Sequence, residues 1–404
     1  MSKLSIYAAA ALAVVLSGCG KSVSSDAAIK AAIVPNADIV YYADYAKINA
    51  SAIAKEGAVF VQSFQKTVSG VMGDDKIAEL MKLVESEGLT EANALTATAS
   101  ASVGKFMTAA DAYDSDEEGS AKPSENDLSV LVAYSFSKPV SKDAVKKITA
   151  EFLKINPDAQ EEWDEMFKAS DFNYAGVNGY TFTAQMDAED LEQSPFEKAP
   201  TFALAFIGGG KVIYAGFEKD VKAAIDRANA GKTAAPSAEL KKLLDSTLGG
   251  SVLTKHDFYF AFAAPEMLRE QLPAMAGMLG EDAVEAAKTF QGIRLAATYS
   301  DKANVTLNLV FGSNEIAEKI KDMVNIQVLA MAKMMLFQTA GKNLPLADSL
   351  TATADANSTS ISFTITAADI AFIKEQLDSG ALPFGGGMDD DDDYDYDFDD
   401  DDDE

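Results

Sequence analysis

The clearest folding signal in the chain is the stretch Tyr174-Ala175-Gly176-Val177-Asn178-Gly179-Tyr180-Thr181-Phe182-Thr183. An Asn-Gly pair supplies the two positive φ angles of a tight two-residue turn at little steric cost. Aromatic and β-branched residues, which favour strands, stand on both sides of the pair. The stretch therefore predicts an antiparallel hairpin that turns at Asn178-Gly179.

Neighbouring segments also predict strands. Residues 94–107 and 128–136 alternate between apolar and polar positions and predict a pair of strands. The triple glycine at 208–210 lies between two further strand-like runs and predicts another hairpin. It does not fit a phosphate-binding loop, because that loop needs Gly-Lys-Ser/Thr at the start of a helix, and Lys211 is followed by Val212 in a strand-like run.

The order of the predicted elements repeats along the chain. Residues 130–148 read as a strand followed by a helix that starts at a serine, and residues 305–323 match this pattern. Residues 201–230 likewise match residues 350–377 as strand, turn, strand and helix. The predicted fold is α+β, with two similar halves that each have an antiparallel sheet with helices packed on one face. This arrangement resembles uncharacterised exported bacterial proteins with duplicated α+β halves, and the resemblance implies no functional residue.

The N-terminus has the pattern of a signal peptide. Lys3 is followed by an uncharged apolar run over residues 4–16 and then by Ser17-Gly18-Cys19. A run of about 13 residues is too short for a helix to span a hydrocarbon core of about 30 Å. The segment resembles the lipobox of bacterial lipoproteins. That resemblance implies cleavage between Gly18 and Cys19, with acyl chains attached to Cys19.

The implied location is the cell envelope. More than one long acyl chain would anchor the protein stably, so the predicted membrane contact is the lipid on Cys19. In bacterial families, an Asp directly after the cysteine resembles a signal for retention in the inner membrane. This chain has Gly20 and Lys21 after Cys19 and no Asp at that position. We therefore expect the outer membrane, facing the periplasm or the cell surface. The alternative is that Cys19 is an incidental small apolar residue.

Composition sets the predicted domain organisation. Residues 1–18 are a removable signal peptide and residues 19–30 a lipidated cysteine and tether; residues 31–250 and 251–384 are the two α+β halves, and residues 385–404 are a Gly/Asp-rich tail. The chain has no cysteine beyond Cys19, so no disulfide stabilises it. Its formal net charge of −29 repels phosphate backbones, which argues against a nucleic-acid partner.

An acidic loop between two predicted strands is a candidate Ca²⁺ site. Asp114, Asp116, Glu118 and Glu125 fall at positions 1, 3, 5 and 12 of the loop, with glycine at position 6, which is the EF-hand spacing. Glu replaces the usual Asp or Asn at position 5, and the flanks read as strands rather than helices. The alternative is a solvated loop that links two strands.

The C-terminal tail, residues 389–404, contains 13 acidic residues and no basic ones. Charge repulsion and the lack of apolar surface predict a disordered segment. Its three aromatic residues, Tyr394, Tyr396 and Phe398, would serve as anchors on a basic protein partner, and its carboxylates would collect Ca²⁺ loosely. The alternative is a repulsive, solubilising brush.

Residues 325–337 are apolar on most sides and lie within a region of the sequence that contains seven methionines: Met267, Met275, Met278, Met323, Met331, Met334 and Met335. Core packing is one interpretation of this cluster. The other is an adaptable apolar groove for lipid or a hydrophobic peptide, because Met side chains are flexible.

The commonest catalytic motifs are missing from the sequence. It has one histidine, His256, and lacks both the Gly-x-Ser-x-Gly motif and a pair of metal-ligating histidines. We therefore predict a lipid-anchored, non-enzymatic binding or structural protein. The alternative function is a periplasmic carrier or chaperone with a Met-rich apolar pocket. The sequence does not predict the oligomeric state.

Overall fold

The structure is a computed structural model of the chain. It describes residues 24–57, 74–89, 93–108, 124, 126–155, 163–187, 190–191, 194, 196–248, 256–277, 280–340 and 344–378.

The elements of the first half, in chain order, are α1 (Ser25–Ala31), β1 (Ile39–Ala43), α2 (Tyr45–Ala50), α3 (Asp74–Ser86), β2 (Ala94–Ser102), β3 (Ser129–Phe136), α4 (Lys142–Ile155), β4 (Phe167–Tyr174), β5 (Val177–Ala184), β6 (Thr201–Ile207), β7 (Val212–Phe217), α5 (Glu218–Asn229) and α6 (Ala238–Leu248).

The elements of the second half are β8 (Phe258–Ala263), α7 (Glu266–Ala276), α8 (Glu281–Thr289), β9 (Gly292–Tyr299), β10 (Ala303–Val310), α9 (Asn314–Met323), a π-helical segment (Val324–Leu329), α10 (Ala330–Ala340), α11 (Pro345–Ser349), β11 (Thr351–Asp355), β12 (Ser358–Ile365) and α12 (Ala367–Asp378).

The two halves share one antiparallel sheet. Its twelve strands lie in the order β11-β12-β10-β9-β8-β1-β2-β3-β7-β6-β5-β4. The halves meet where β1 pairs with β8, with Tyr41 opposite Phe260. Outward from this pair the strands follow matching orders, β1-β2-β3-β7-β6 in the first half and β8-β9-β10-β12-β11 in the second. The α+β class and the two similar halves are confirmed, and their two predicted sheets are joined into one.

Helices cover both faces of the first half, which corrects the expectation of one face. Ala203 and Ala205 of β6 belong to a core with α1, α5 and α6, whereas Leu204 and Phe206 point to the opposite face and form a core with α3 and α4. The reason is visible in the sequence, because residues 202–207 are all apolar rather than alternating. A strand that is apolar on both sides must be buried on both sides.

The hairpin of β4 and β5 forms, but it turns three residues earlier than predicted. Tyr174 pairs with Val177, so the turn residues are Ala175 and Gly176, with φ angles of 51° and 80°. The predicted turn residue Gly179 lies inside β5, where a Cβ atom would come within 1.7 Å of the carbonyl oxygen of Leu204 in β6. This glycine therefore permits close approach of two strands rather than a turn.

The N-terminal helix α1 is attached to the sheet by buried hydrogen bonds. The Tyr214 hydroxyl donates to the carbonyl oxygen of Ala28 at 2.6 Å. The Ser100 hydroxyl accepts from the Val34 amide at 2.9 Å and donates to the Ala32 carbonyl at 2.8 Å. The first described residues are thus part of the fold rather than a loose tether.

Four strands place the residues at one of their ends along the same edge of the sheet. Ala43 at the end of β1 lies opposite Phe258, and Ala303 at the start of β10 lies opposite Ile365 at the end of β12. We call this edge of the sheet the Ala43 end.

Candidate functional site: an exposed Met-rich helix

A continuous helical segment runs over α9, the π-helical segment and α10. Its first part is attached to the sheet: Ile316, Ala317 and Ile320 are buried against β11 and β12. The buried Thr359 hydroxyl of β12 donates to the carbonyl oxygen of Ala317 at 2.6 Å. Helix α9 is therefore an ordinary amphipathic helix on the edge of the sheet.

The π-helical segment marks the change from attached to exposed helix. Val324 and Leu329 are buried at its two ends. The Asn325 side chain donates to the carbonyl oxygen of Ala352 in β11 at 3.2 Å. Short π-helical segments often occur at functional positions in helices.

Beyond this point the helix exposes large apolar side chains. The exposed fractions are 74% for Ile326, 49% for Val328, 55% for Met331, 54% for Met334, 59% for Met335 and 52% for Phe337. We call these six residues the Met-rich surface. Several large apolar side chains exposed within one short segment are a typical sign of an interaction site, whereas single exposed apolar residues are not.

The exposed side chains lie mainly on one side of α10. Met331, Met334 and Met335 are spaced by three and four residues and share a face of the helix. Ala332 and Leu336, four residues apart, are only partly exposed. The helix therefore turns its smaller apolar residues toward the protein and its methionines outward.

The charge pattern sets this segment apart from the rest of the chain. No acidic residue occurs between Asp322 and Asp348, in a protein with 63 acidic residues. Lys333 is the sole charged residue within 324–340. The Met-rich surface therefore carries a slight positive charge on a strongly acidic protein.

Two buried ionisable groups elsewhere, Asp220 and Arg294, attach helices to the sheet. Burial raises the pKa of Asp220 above its usual value, and its carboxylate accepts from the Val130 amide at 3.0 Å. Burial lowers the pKa of Arg294, whose guanidinium donates to the carbonyl oxygen of Leu243 at 3.0 Å. Burial raises the pKa of Tyr259 to about 12. These contacts are structural.

The residues predicted from the sequence as sites lie outside the described residues. This holds for Gly18 and Cys19, for the acidic loop with Asp114, Asp116, Glu118 and Glu125, and for the tail with Tyr394, Tyr396 and Phe398. In the part of the chain that the structure describes, no group of three or more His, Cys, Asp or Glu side chains could hold a metal ion. Lipid attachment, Ca²⁺ binding and tail contacts stay predictions.

The sequence of the Met-rich segment fits both a core helix and a helix that contacts a partner. The described structure favours contact, because six large side chains are exposed. The sequence marks the segment as a run of residues without an acid, which is compatible with both environments. None of the described helices is long and apolar enough to cross a membrane.

Comparison with known proteins gives a distant structural likeness. No protein-family model matches the chain, and no curated protein matches it. The chain is similar to the structure described as "Structure of crystal form III of TP0453", at 9% identity and a TM-score of 0.35, over 86% of this chain and 97% of that chain. For crystal form I of TP0453 the identity is 8% and the TM-score 0.30, with the same coverage. A likeness this weak carries no functional argument, so the proposals below rest on the geometry.

Proposed function

We propose that this protein is a lipid-anchored, non-enzymatic envelope protein that acts by binding, and that the Met-rich surface is its binding surface. The supporting observation is the exposure of six large apolar side chains on one helical segment, from Ile326 to Phe337. Leaving such side chains in water costs free energy in the isolated protein, at about 25 cal/mol per Å² of apolar surface. A partner that covers them recovers this free energy.

The lipid on Cys19 is the second part of the proposal. It places the protein at a membrane, and the outer membrane is favoured. The acidic tail is proposed as a further contact for cations or a basic protein, because its carboxylates attract positive charge. The Met-rich surface has the opposite sign of charge. The two contacts would therefore recognise different partners.

Photo-crosslinking in cells tests the binding surface. A benzophenone amino acid replaces Met334 in one full-length chain and Glu239, an exposed residue of α6, in the control. We expect an adduct from position 334 and none from position 239. Adduct from neither position would contradict the proposed surface.

Incorporation of an alkyne-tagged fatty acid, abolished by Cys19→Ala, tests the anchor.

A second candidate function, an apolar carrier, is favoured by a different surface. Phe258, Phe260, Leu295 and Leu307 lie on one face of three neighbouring strands, because Phe260, Leu295 and Leu307 are directly paired in register. These side chains are only partly buried and belong to none of the three cores formed by buried described residues. Such a face would suit an acyl chain, because it is apolar and flanked by the strands of one sheet.

Mass spectrometry of the protein extracted from its native membrane tests this carrier function. A bound lipid in constant ratio to the protein, lost on Leu295→Glu substitution, would support it. A wild-type protein that carries no lipid would contradict it.

A further inference from the structure

We propose that the partner of the Met-rich surface is the lipid surface itself, in which α10 lies at the boundary between headgroups and acyl chains. This proposal rests on the proposed function and names the partner of the same surface. It is carried by the dimensions of the helix, its charge, and its position relative to the N-terminus of the fold.

The helix has suitable dimensions for lying in the membrane interface. Residues 324–340 form about 25 Å of helix at about 1.5 Å per residue, which is less than the hydrocarbon core of about 30 Å. One side of α10 contains Ala332 and Leu336, which are partly covered by the protein, and the other contains the methionines. A helix with one side on the protein and an apolar side outward would be buried by only about 5–10 Å in a bilayer.

The charge of the segment matches a lipid surface better than any acidic part of the protein. An anionic leaflet repels carboxylates and attracts nearby lysines. The chain has no acid between Asp322 and Asp348, and Lys333 can extend its ammonium group to the headgroups while its stem stays apolar. Flexible Met side chains would adapt to fluid acyl chains as they adapt to irregular apolar surfaces.

The Met-rich surface lies toward the Ala43 end of the sheet. Strand β10 runs from Ala303 at that end to Val310, so α9 begins at the far end and runs back along the edge of the sheet. Ala317 contacts Thr359 near the far end, and Asn325 contacts Ala352, which lies closer to the Ala43 end. Helix α10 continues in this direction.

The N-terminus of the described fold lies at the same end. The Ala28 carbonyl in the middle of α1 accepts from the Tyr214 hydroxyl, and strand register places Tyr214 level with Tyr42, next to the last residue of β1. The C-terminal end of α1 is at Ser100, toward the far end of β2. Helix α1 therefore starts near the Ala43 end. The proposed acylated cysteine is six residues before Ser25, a span of at most about 21 Å at 3.5 Å per residue.

The anchor and the Met-rich surface would therefore act together. A tether this short would hold the Ala43 end close to the bilayer, which raises the effective concentration of the helix at the lipid surface. The acidic side chains Asp44 and Asp257 at this end form ion pairs with Lys47, so their charges are partly offset. A weakly binding apolar helix becomes a stable second contact under these conditions.

Fluorescence depth measurement on the full-length lipidated chain tests the proposal. Cys19 is the sole native cysteine and its thiol would be acylated, so Met334→Cys provides one labelling position for an environment-sensitive NBD probe. The matched control is Glu239→Cys, an exposed helical position of α6. Helix α6 begins beside Ala37, at the end of the sheet opposite the Ala43 end. Both proteins are reconstituted in vesicles of phosphatidylethanolamine and phosphatidylglycerol, with or without lipids that carry a nitroxide on the acyl chain.

We expect the probe at position 334 to shift to shorter wavelength and to lose at least half of its emission to the nitroxide lipids, while the probe at position 239 reports water. Adding Met331→Gln and Met335→Gln should reverse the shift, and Gln retains the helix propensity of Met. A probe at 334 that reports water while the protein floats with the vesicles would overturn the proposal. A blue shift that grows with protein density but shows no quenching would assign the surface to a second copy, which also overturns it. A chain that does not float would instead contradict the proposed anchor.

Discussion

The two halves follow the same order of elements but insert different structures at the same point. After β3 and α4, the first half inserts the hairpin of β4 and β5, which extends the sheet. After β10 and α9, the second half inserts the π-helical segment, α10 and α11, which expose methionines. The two halves therefore share one framework, and the proposed contact lies in the element that is inserted only in the second half.

The sheet faces of the two halves differ in the same way. In the first half, Leu131, Ala133 and Tyr214 are buried on the face that α1 and α5 cover. The strands at the corresponding outer positions of the second half carry hydroxyl and amide side chains, with Thr306 hydrogen-bonded to Ser362 at 3.1 Å and Ser360 to Asn308 at 2.6 Å. The core on this face is therefore thicker in the first half.

The largest expected effect is on this core. Leu131→Ala should lower the free energy of unfolding by about 2–5 kcal/mol, because the side chain is fully buried and leaves a cavity. Leu307→Ala should cost about 1 kcal/mol, since that side chain is only partly buried. Urea unfolding of both variants checks the comparison. Because Leu307 lies on the opposite face of the sheet, equal losses would contradict the difference in burial between these two side chains.

The next effect concerns two aspartates at matching positions. Each is the third residue of the helix that directly follows the last strand of its half, α5 for Asp220 and α12 for Asp369. The Asp369 carboxylate accepts from the Leu346 amide at 3.0 Å, and from the Thr366 amide and hydroxyl at 2.8 and 2.6 Å. Asp369→Ala should cost about 3 kcal/mol, because these donors lose a charged acceptor. Asp220→Ala should cost about 1–2 kcal/mol, since burial already disfavours its charge. Thermal unfolding measures both, and the reverse order would contradict these assignments.

Asp220 also predicts a pH dependence. The pKa of Asp220 is raised in the folded state, so that state holds its proton more tightly than the unfolded state does. The stabilising contribution is present below the unfolded pKa and is lost as pH rises through the folded pKa. Asp220→Asn should remove this loss and leave the protein at least as stable at pH 7. The free energy of unfolding is measured against pH for both proteins. A difference between wild type and Asp220→Asn that shifts in favour of the wild type as pH rises would contradict the assignment.

The smallest effect concerns the attachment of α9. Thr359→Val should cost about 1 kcal/mol, because it removes the hydroxyl that donates to the Ala317 carbonyl in a buried site. Thr353→Val, at an exposed position of neighbouring β11, is the control and should change stability by less than about 0.5 kcal/mol. Indistinguishable unfolding midpoints for the two variants would argue against a stabilising bond.

Much of the framework could be predicted from local patterns. The strands of residues 128–136 and the hairpin at the triple glycine at 208–210 follow from alternation and glycine content, and both are confirmed. The turn position at Ala175-Gly176 could not be predicted, because it depends on how closely β5 approaches the Leu204 carbonyl in another strand. The joining of the two sheets through β1 and β8 depends on pairing across more than 200 residues, which local patterns do not specify.

The site was only half predictable. The apolar character of residues 323–337 is plain in the sequence, but the same composition suits a buried helix and an exposed one. The outcome depends on whether a neighbouring element covers Met331, Met334 and Met335, and that is a property of the three-dimensional packing. The absence of acids between Asp322 and Asp348 distinguishes this segment from the ordinary acidic surface of the protein.

Amide hydrogen exchange on the reconstituted lipidated chain tests the central claim most directly. Exchange is measured in vesicles for the wild type and for the Met331→Gln/Met335→Gln variant, and two segments are compared: residues 326–338, and residues 167–184 of the first-half hairpin. We predict slower exchange of residues 326–338 in the wild type than in the variant, with residues 167–184 unchanged. Equal exchange of residues 326–338 in the two proteins would contradict the assignment of function to the inserted helix of the second half.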